Sequence, residues 1–115
     1  MENKTDYRAT LLEKINRLLS SKITVPEFRS EYYYYYVDKI PDTGLSKGDF
    51  MFFGLIQEQL DWTTENPEKE DRKYRYKNYQ EYTEWVRQVT ELFLKEGAGS
   101  EKDYDKYLKL WAEKK

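Results

Sequence analysis

Neither cysteine nor histidine occurs among the 115 residues of the chain. The lack of cysteine excludes disulfides, thiolate nucleophiles and cysteine-ligated metal sites. The lack of histidine removes the side chain that most often serves as a general base or a metal ligand. Carboxylate-based hydrolysis or an oxygen-ligated Mg²⁺ site is still open, but it needs acids from different helices to converge. We therefore expect a protein that has no enzymatic activity and no cofactor.

Long apolar runs and a strong charge imbalance are also missing. No apolar segment approaches the roughly 20 residues that span a bilayer. The N-terminus has no basic stretch followed by an apolar one, so we expect no signal peptide. Twenty basic and 22 acidic residues leave a net charge of −2, which favours neither a nucleic-acid binder nor an acidic tail. These features predict a soluble, cytoplasmic protein whose electrostatic function must come from local patches.

Aromatic residues are plentiful, at 17% of the chain, and 12 of them are tyrosines. Disordered segments are poor in aromatic residues, so this content indicates a folded protein. No segment alternates polar and apolar residues, whereas apolar residues recur every three or four positions, as in amphipathic helices. The sequence therefore predicts an all-α fold, an antiparallel bundle of four main helices plus a C-terminal helix. We expect residues 1–115 to form a single helical-bundle domain.

Capping residues mark where these helices begin. The predicted caps, with the partner three residues later where there is one, are Asp6, Thr24 with Glu27, Ser46 with Asp49, Asn78 with Glu81, and Ser100 with Asp103. The predicted helices span about residues 6–20, 25–39 and 47–62, then a fourth that ends at Gly97, and the C-terminal helix. Between the third and fourth, residues 63–77 are predicted to form a polar loop with a short helical turn after Pro67.

The third helix is apolar around most of its circumference, which predicts burial against several neighbours. Phe50 is expected to pack against Leu45 as a hydrophobic staple. Trp62 is expected to belong to the same buried set. The polar strip of this helix consists of Gly54, Gln57, Glu58 and Asp61.

Five consecutive tyrosines, Tyr32 to Tyr36, lie in the second helix. Consecutive helical residues are about 100° apart, so the five rings cannot share one face. The helical wheel places Tyr32 and Tyr36 inward, and Tyr33 and Tyr35 at the borders of the buried face. Tyr34 points outward, on one stripe with Glu27, Glu31 and Asp38. We expect an exposed ring within a row of three carboxylates.

A second acidic region follows in the third helix and the loop. From Glu58 to Asp71 the chain has six acids and one base, Lys69. An exposed tyrosine among carboxylates suits a basic protein partner, because the ring gives rigid contact area and the acids steer association. The other interpretation is an ordinary solubilising face. The candidate partner-binding residues are Glu31, Tyr34, Asp38, Glu58, Asp61, Glu65, Glu68, Glu70 and Asp71.

The segment 72–77 has the opposite charge, since Arg72, Lys73, Arg75 and Lys77 alternate with Tyr74 and Tyr76. Such a segment can hold phosphates and stack on bases, which would suit an RNA-binding or regulatory adaptor. It can equally be a solvated loop with Tyr74 or Tyr76 folded back on the bundle.

Residues 11–37, LLEKINRLLSSKITVPEFRSEYYYYYV, resemble the colicin D-like immunity proteins, whose relatives protect bacteria against contact-dependent growth-inhibition toxins. The resemblance extends over roughly residues 8–95 and includes a Tyr-x-x-Trp-Val pattern, here Tyr82 to Val86. It implies a small helical bundle without enzymatic activity that binds a cognate nuclease toxin, usually a tRNase. It also implies that acidic residues cover the basic active site of the toxin, where RNA phosphates would bind.

Overall fold

The computed structural model describes residues 6–41, 44–96 and 101–113. Within these ranges the regular structure is helical apart from one isolated bridge between Thr63 and Lys77, so the predicted all-α class is confirmed. The helices are α1 (Tyr7–Leu19), α2 (Val25–Tyr34), α3 (Lys47–Glu58), α4 (Lys69–Lys73), α5 (Tyr79–Glu96) and α6 (Glu101–Glu113). A π-helical turn, Tyr35–Lys39, continues α2, and a 3₁₀ turn, Gln59–Trp62, continues α3. None of the described helices is long and apolar enough to cross a membrane.

The predicted caps determine where most of these helices begin. Asp6 accepts a hydrogen bond from the Ala9 backbone N–H at 2.9 Å, so α1 begins where the sequence places it. The other confirmed caps are the pairs Thr24 with Glu27, Ser46 with Asp49, and Asn78 with Glu81. Gly97 and Ser100 lie outside the described residues, as does the side chain of Asp103.

Tyrosine hydroxyls of α2 hold the backbone of α3. Tyr32 is fully buried and its Oη donates to the carbonyl oxygen of Phe53 at 2.9 Å. One turn further along, Tyr36 Oη donates to the carbonyl oxygen of Phe50 at 3.1 Å. The later tyrosine, Tyr36, binds the earlier of the two α3 residues, Phe50. The two helices therefore run in opposite directions.

The fifth helix contacts both α3 and α6. Tyr82 Oη donates to the carbonyl oxygen of Ile56 at 2.7 Å, and the ring of Phe93 stacks on Phe52 with centroids 3.9 Å apart. Trp85 Nε1 donates to the backbone of α6 at Tyr107. The buried core includes Leu11, Ile15, Phe28, Phe53, Leu55, Val86, Val89 and Trp111.

One member of the tyrosine run, Tyr33, departs from the predicted wheel. Tyr32 is buried and Tyr36 is half-buried, as predicted, but Tyr33 is 51% exposed rather than at a border. From Tyr35 onward the backbone changes to π-helical turns, in which hydrogen bonds join residues five apart. Tyr35 and Tyr36, within this turn, are both half-buried, so the turn does not account for the exposure of Tyr33 in α2.

Two aromatic residues predicted to be buried are exposed. Phe50 is 53% exposed, and its ring stacks on Tyr36 with centroids 5.7 Å apart. Trp62 is 42% exposed because it lies beyond the end of α3, in the 3₁₀ turn. Three residues per turn, instead of 3.6, rotate its side chain away from the apolar face of α3.

The end of the 3₁₀ turn is held by Arg29 of α2. Its Nη2 donates to the carbonyl oxygens of Leu60 and Thr63, at 2.6 and 3.0 Å. The last carbonyls of a helical segment lack intrahelical partners and carry partial negative charge, so a guanidinium stabilises them.

We expect Arg29→Met to lower the free energy of unfolding by about 2 kcal/mol, since two charge-assisted hydrogen bonds are lost while the aliphatic stem remains. Urea denaturation followed by circular dichroism measures the change. Lys22→Met, which removes an exposed cation without a hydrogen-bonded partner in the described residues, is the control. Equal stability of the two variants would show that Arg29 does not hold the turn.

Candidate functional site

The predicted binding residues fall into three groups on different segments of the chain. Glu31 and Tyr34 lie on α2, and Asp38 is exposed on the π-helical turn. A second group lies at or after the end of α3 and consists of Glu58, Asp61 and Glu65. A third group lies at α4 and consists of Glu68, Glu70 and Asp71.

The acids of the third group have local structural partners. Asp71 Oδ2 accepts a hydrogen bond from the backbone N–H of Glu68 at 2.9 Å and thereby caps the first turn of α4. Glu70 is 3.5 Å from Lys73 in an exposed ion pair. The spacing of three between Glu68 and Asp71, the same as in the confirmed caps, is the sequence signal for this role.

Arg72 and Tyr76 of the basic segment are attached to the helical core. Arg72 Nη1 donates to Glu81 Oε1 of α5 at 2.6 Å and to the carbonyl oxygen of Tyr76 at 3.2 Å. Tyr76 folds back and packs edge-to-face on Trp62, whereas Tyr74 stays 64% exposed.

Two further bases of this segment, Arg75 and Lys77, contact α6. Arg75 has φ 67°, in the left-handed region, and both its side chain and its backbone carbonyl bind α6. Its guanidinium donates to the carbonyl oxygen of Ala112, while its own carbonyl accepts from Trp111 Nε1. Lys77 is buried, with its Nζ 5.1 Å from the centroid of the Trp111 ring. These intramolecular contacts favour the structural interpretation of residues 72–77 over RNA binding.

Tyr34 is 52% exposed, so its predicted outward orientation is confirmed. Of the carboxylates predicted to lie in one row with it, Glu27 and Asp38 are exposed and Glu31 is half-buried. Glu31 pairs with Arg17 of α1 at 3.2 Å. The Lys39 ammonium lies 5.2 Å from the centroid of the Tyr34 ring, because the π-helical turn brings Lys39 back towards Tyr34.

The last residue of α3 and the segment that follows it carry four side chains close together in the chain. We call them the acidic–aromatic surface: Glu58, Asp61, Trp62 and Glu65. All four are exposed. Neither Asp61 nor Glu65 makes a hydrogen bond or an ion pair with another described residue. Trp62 is therefore an exposed indole that follows Asp61 directly and precedes Glu65 by three positions, and both carboxylates are available to an external partner.

The backbone of the acidic–aromatic surface is fixed. Lys77 N–H donates to the carbonyl oxygen of Trp62 at 2.9 Å, and Thr64 N–H donates to the carbonyl oxygen of Lys77 at 3.0 Å. The indole of Trp62 also rests edge-to-face on Tyr76, with centroids 5.4 Å apart. A side chain held in this way loses little conformational entropy when a partner binds.

Glu58 lies between tyrosines from two other helices. Tyr104 Oη of α6 donates to Glu58 Oε1 at 3.0 Å. Burial, together with the charge of Glu58, raises the pKa of Tyr36 to about 12. Burial, followed by the hydrogen bond and charge of Glu58 and the charge of Asp105, also raises the pKa of Tyr104. Sequence spacing could not find Tyr104, because 46 positions separate it from Glu58.

Comparisons with known proteins identify no relative of this chain: no family model, no curated protein and no solved structure matches it. In the described part of the chain, no group of three or more acidic side chains is arranged to hold a metal ion. The acidic–aromatic surface and the resemblance in residues 11–37 are therefore the grounds for a functional proposal.

We expect Glu58→Gln to lower the pKa of both Tyr36 and Tyr104 towards the ordinary tyrosine value, because it removes the negative charge that opposes their ionisation. Titration of ¹³C-labelled tyrosine ring signals by NMR measures both values. Glu65→Gln is the control and should move neither. Unchanged values in Glu58→Gln would mean that this carboxylate does not lie between the two rings.

A second prediction concerns acid stability. Burial opposes ionisation of Glu81, but hydrogen bonds from Asn78 and Arg72 and the charges of Arg72 and Lys77 outweigh it, so the pKa of Glu81 is below its ordinary value of 4.5. A lowered native pKa contributes stability above the unfolded-state pKa, and the contribution is lost as the pH falls through the native pKa. Glu81→Gln should lower stability at pH 7 and weaken its dependence on pH below about 4.5.

Urea unfolding of Glu81→Gln at a series of pH values tests this prediction, with Glu84→Gln as the control on the same helix. Glu84 forms only a 3.7 Å exposed pair with Arg87, so its replacement should leave the pH profile almost unchanged. Identical profiles for the two variants would contradict the assignment.

Proposed function

We propose that the protein is an immunity protein, or antitoxin, that binds a cognate nuclease toxin of the tRNase type. It acts in the cytoplasm and inhibits by occlusion: the acidic–aromatic surface covers the basic active site of the toxin. The observation that carries the proposal is the exposed indole of Trp62 in a short exposed segment that also carries the available carboxylates of Asp61 and Glu65. The resemblance of residues 11–37 to colicin D-like immunity proteins supports the same class of partner.

Trp62 supplies the central apolar contact in this proposal. Tryptophan is among the residues that most often dominate protein–protein binding energy, particularly when fixed and surrounded by groups that exclude water. The indole is 42% exposed and held against Tyr76, so binding buries apolar area at little entropic cost.

Asp61 and Glu65, with Glu58 beside them, supply the charge. A nuclease active site holds substrate phosphates with lysine and arginine, and carboxylates can pair with the same cations. Acids at the rim of an interface mainly raise the rate of association, and a carboxylate at its centre mainly slows dissociation. Glu58 is suited to slowing dissociation from the centre of the interface, because Tyr104 already orients its carboxylate.

The architecture in this proposal is an antiparallel bundle whose four main helices are α1, α2, α3 and α5, with α6 as the C-terminal helix. The opposite directions of α2 and α3, and the contacts of α5 with α3 and α6, support it. Such a bundle presents the end of α3 on a rigid support, which inhibition by occlusion requires.

The double variant Asp61→Lys, Glu65→Lys tests the proposal. Its partner in the experiment is the toxin domain encoded by the reading frame next to the gene for this protein. Charge reversal should lower the association rate constant at least about tenfold, because attraction becomes repulsion. Surface plasmon resonance measures the rate, and growth of cells that express both proteins measures protection.

Glu13→Lys, Glu91→Lys is the matched control, since it makes the same change in net charge at two exposed positions on α1 and α5. It should keep most of the association rate and all of the protection. Full protection by Asp61→Lys, Glu65→Lys, with an unchanged association rate, would refute an inhibitory role for the acidic–aromatic surface.

A further inference from the structure

A second candidate site lies between α1 and α2, away from the acidic–aromatic surface. It is an open groove with a volume of about 460 Å³. This size is within the range of roughly 300 to 1,000 Å³ that is typical of small-molecule sites. Its lining consists of Tyr7, Lys14, Glu31, Tyr34, Tyr35 and Lys39.

The π-helical turn places Lys39 in this groove. In an α-helix, residues five positions apart point about 140° away from each other. In a π-helix the hydrogen bonds themselves join residues five apart, so such side chains become neighbours. Lys39 Nζ accordingly lies 5.2 Å from the ring centroid of Tyr34, five positions earlier. π-Helical turns of this kind occur frequently at functional sites.

Lys14 reaches the groove from the opposite side, on α1. Its Nζ lies 5.2 Å from the ring centroid of Tyr35. The ring of Tyr7, also on α1, is tilted against Tyr35 with centroids 6.4 Å apart. Three tyrosine rings and two ammonium groups therefore line one groove, with each ammonium over a ring.

The local charge of the groove is positive. Glu31 is the only carboxylate of the lining, and it already pairs with Arg17 at 3.2 Å. Neither Lys14 nor Lys39 forms an ion pair with another described residue. Among the described residues, the contacts of these two ammonium groups are with ring faces. Such contacts are weak at exposed sites, so an anion can readily replace the ring as the partner of each ammonium group.

We propose that this groove binds a nucleoside phosphate. The planar base stacks on the exposed tyrosine faces, since every base has a π-face that aromatic side chains accept. Lys14 and Lys39 move from the rings to the phosphates, which suit the compact charge of an ammonium group. A single small molecule fits the volume of the groove.

Titration with ADP by isothermal calorimetry tests the proposal, with pyrophosphate and adenosine as the two partial ligands. ADP should bind more tightly than either. Lys14→Ala and Lys39→Ala should each weaken ADP binding about tenfold, the usual effect of losing one charge-assisted contact. Tyr34→Ala should weaken ADP but not pyrophosphate. Lys47→Ala, an exposed lysine at the start of α3, is the control and should change nothing.

Three results would overturn the proposal. Pyrophosphate binding as tightly as ADP would make the groove a site for anions alone. A tetraglutamate peptide binding more tightly than ADP would indicate an acidic protein segment as its occupant. No binding of ADP at millimolar concentration, with the melting temperature of the protein unchanged, would remove the ligand site altogether. None of these results bears on toxin binding, because the two sites share no residue.

Discussion

The guanidinium of Arg29 donates to the carbonyl oxygens of Leu60 and Thr63 at the point where the 3₁₀ turn ends. These two contacts join the second helix to the end of the third. They also determine the direction in which the chain leaves the turn, and hence the orientation of Trp62 between them. The isolated bridge between Thr63 and Lys77 joins the end of the 3₁₀ turn to the segment that precedes α5. These contacts fix the backbone that carries the acidic–aromatic surface.

Although the net charge of the protein is only −2, it has two surfaces of opposite charge. Asp61 and Glu65 make the end of α3 negative, whereas Lys14 and Lys39 make the groove between α1 and α2 positive. Both surfaces combine charge with exposed aromatic rings, which supply contact area at low entropic cost. The two proposals therefore assign the same residue types to two different partners, a basic protein and an anionic small molecule. Local geometry, not overall charge, distinguishes them.

Features that depend on near neighbours could be predicted from the sequence, and features that depend on distant contacts could not. Caps such as Thr24 with Glu27 involve residues three apart, so their spacing is visible in the chain. The exposure of Trp62 depends on a change from 3.6 to three residues per turn, which hydrophobicity does not reveal. The contact of Lys39 with Tyr34 depends on a π-helical turn, and the partner of Glu58 is 46 positions away.

The indole N–H signals provide the most direct test of the proposed binding surface. Trp85 and Trp111 donate their indole N–H groups to backbone carbonyls, whereas that of Trp62 has no hydrogen-bond partner among the described residues. Titration of the ¹⁵N-labelled protein with the toxin domain should therefore shift the Trp62 indole signal strongly and leave the other two nearly unchanged. A tightly bound complex in which the Trp62 signal does not move would contradict the proposed role of the acidic–aromatic surface.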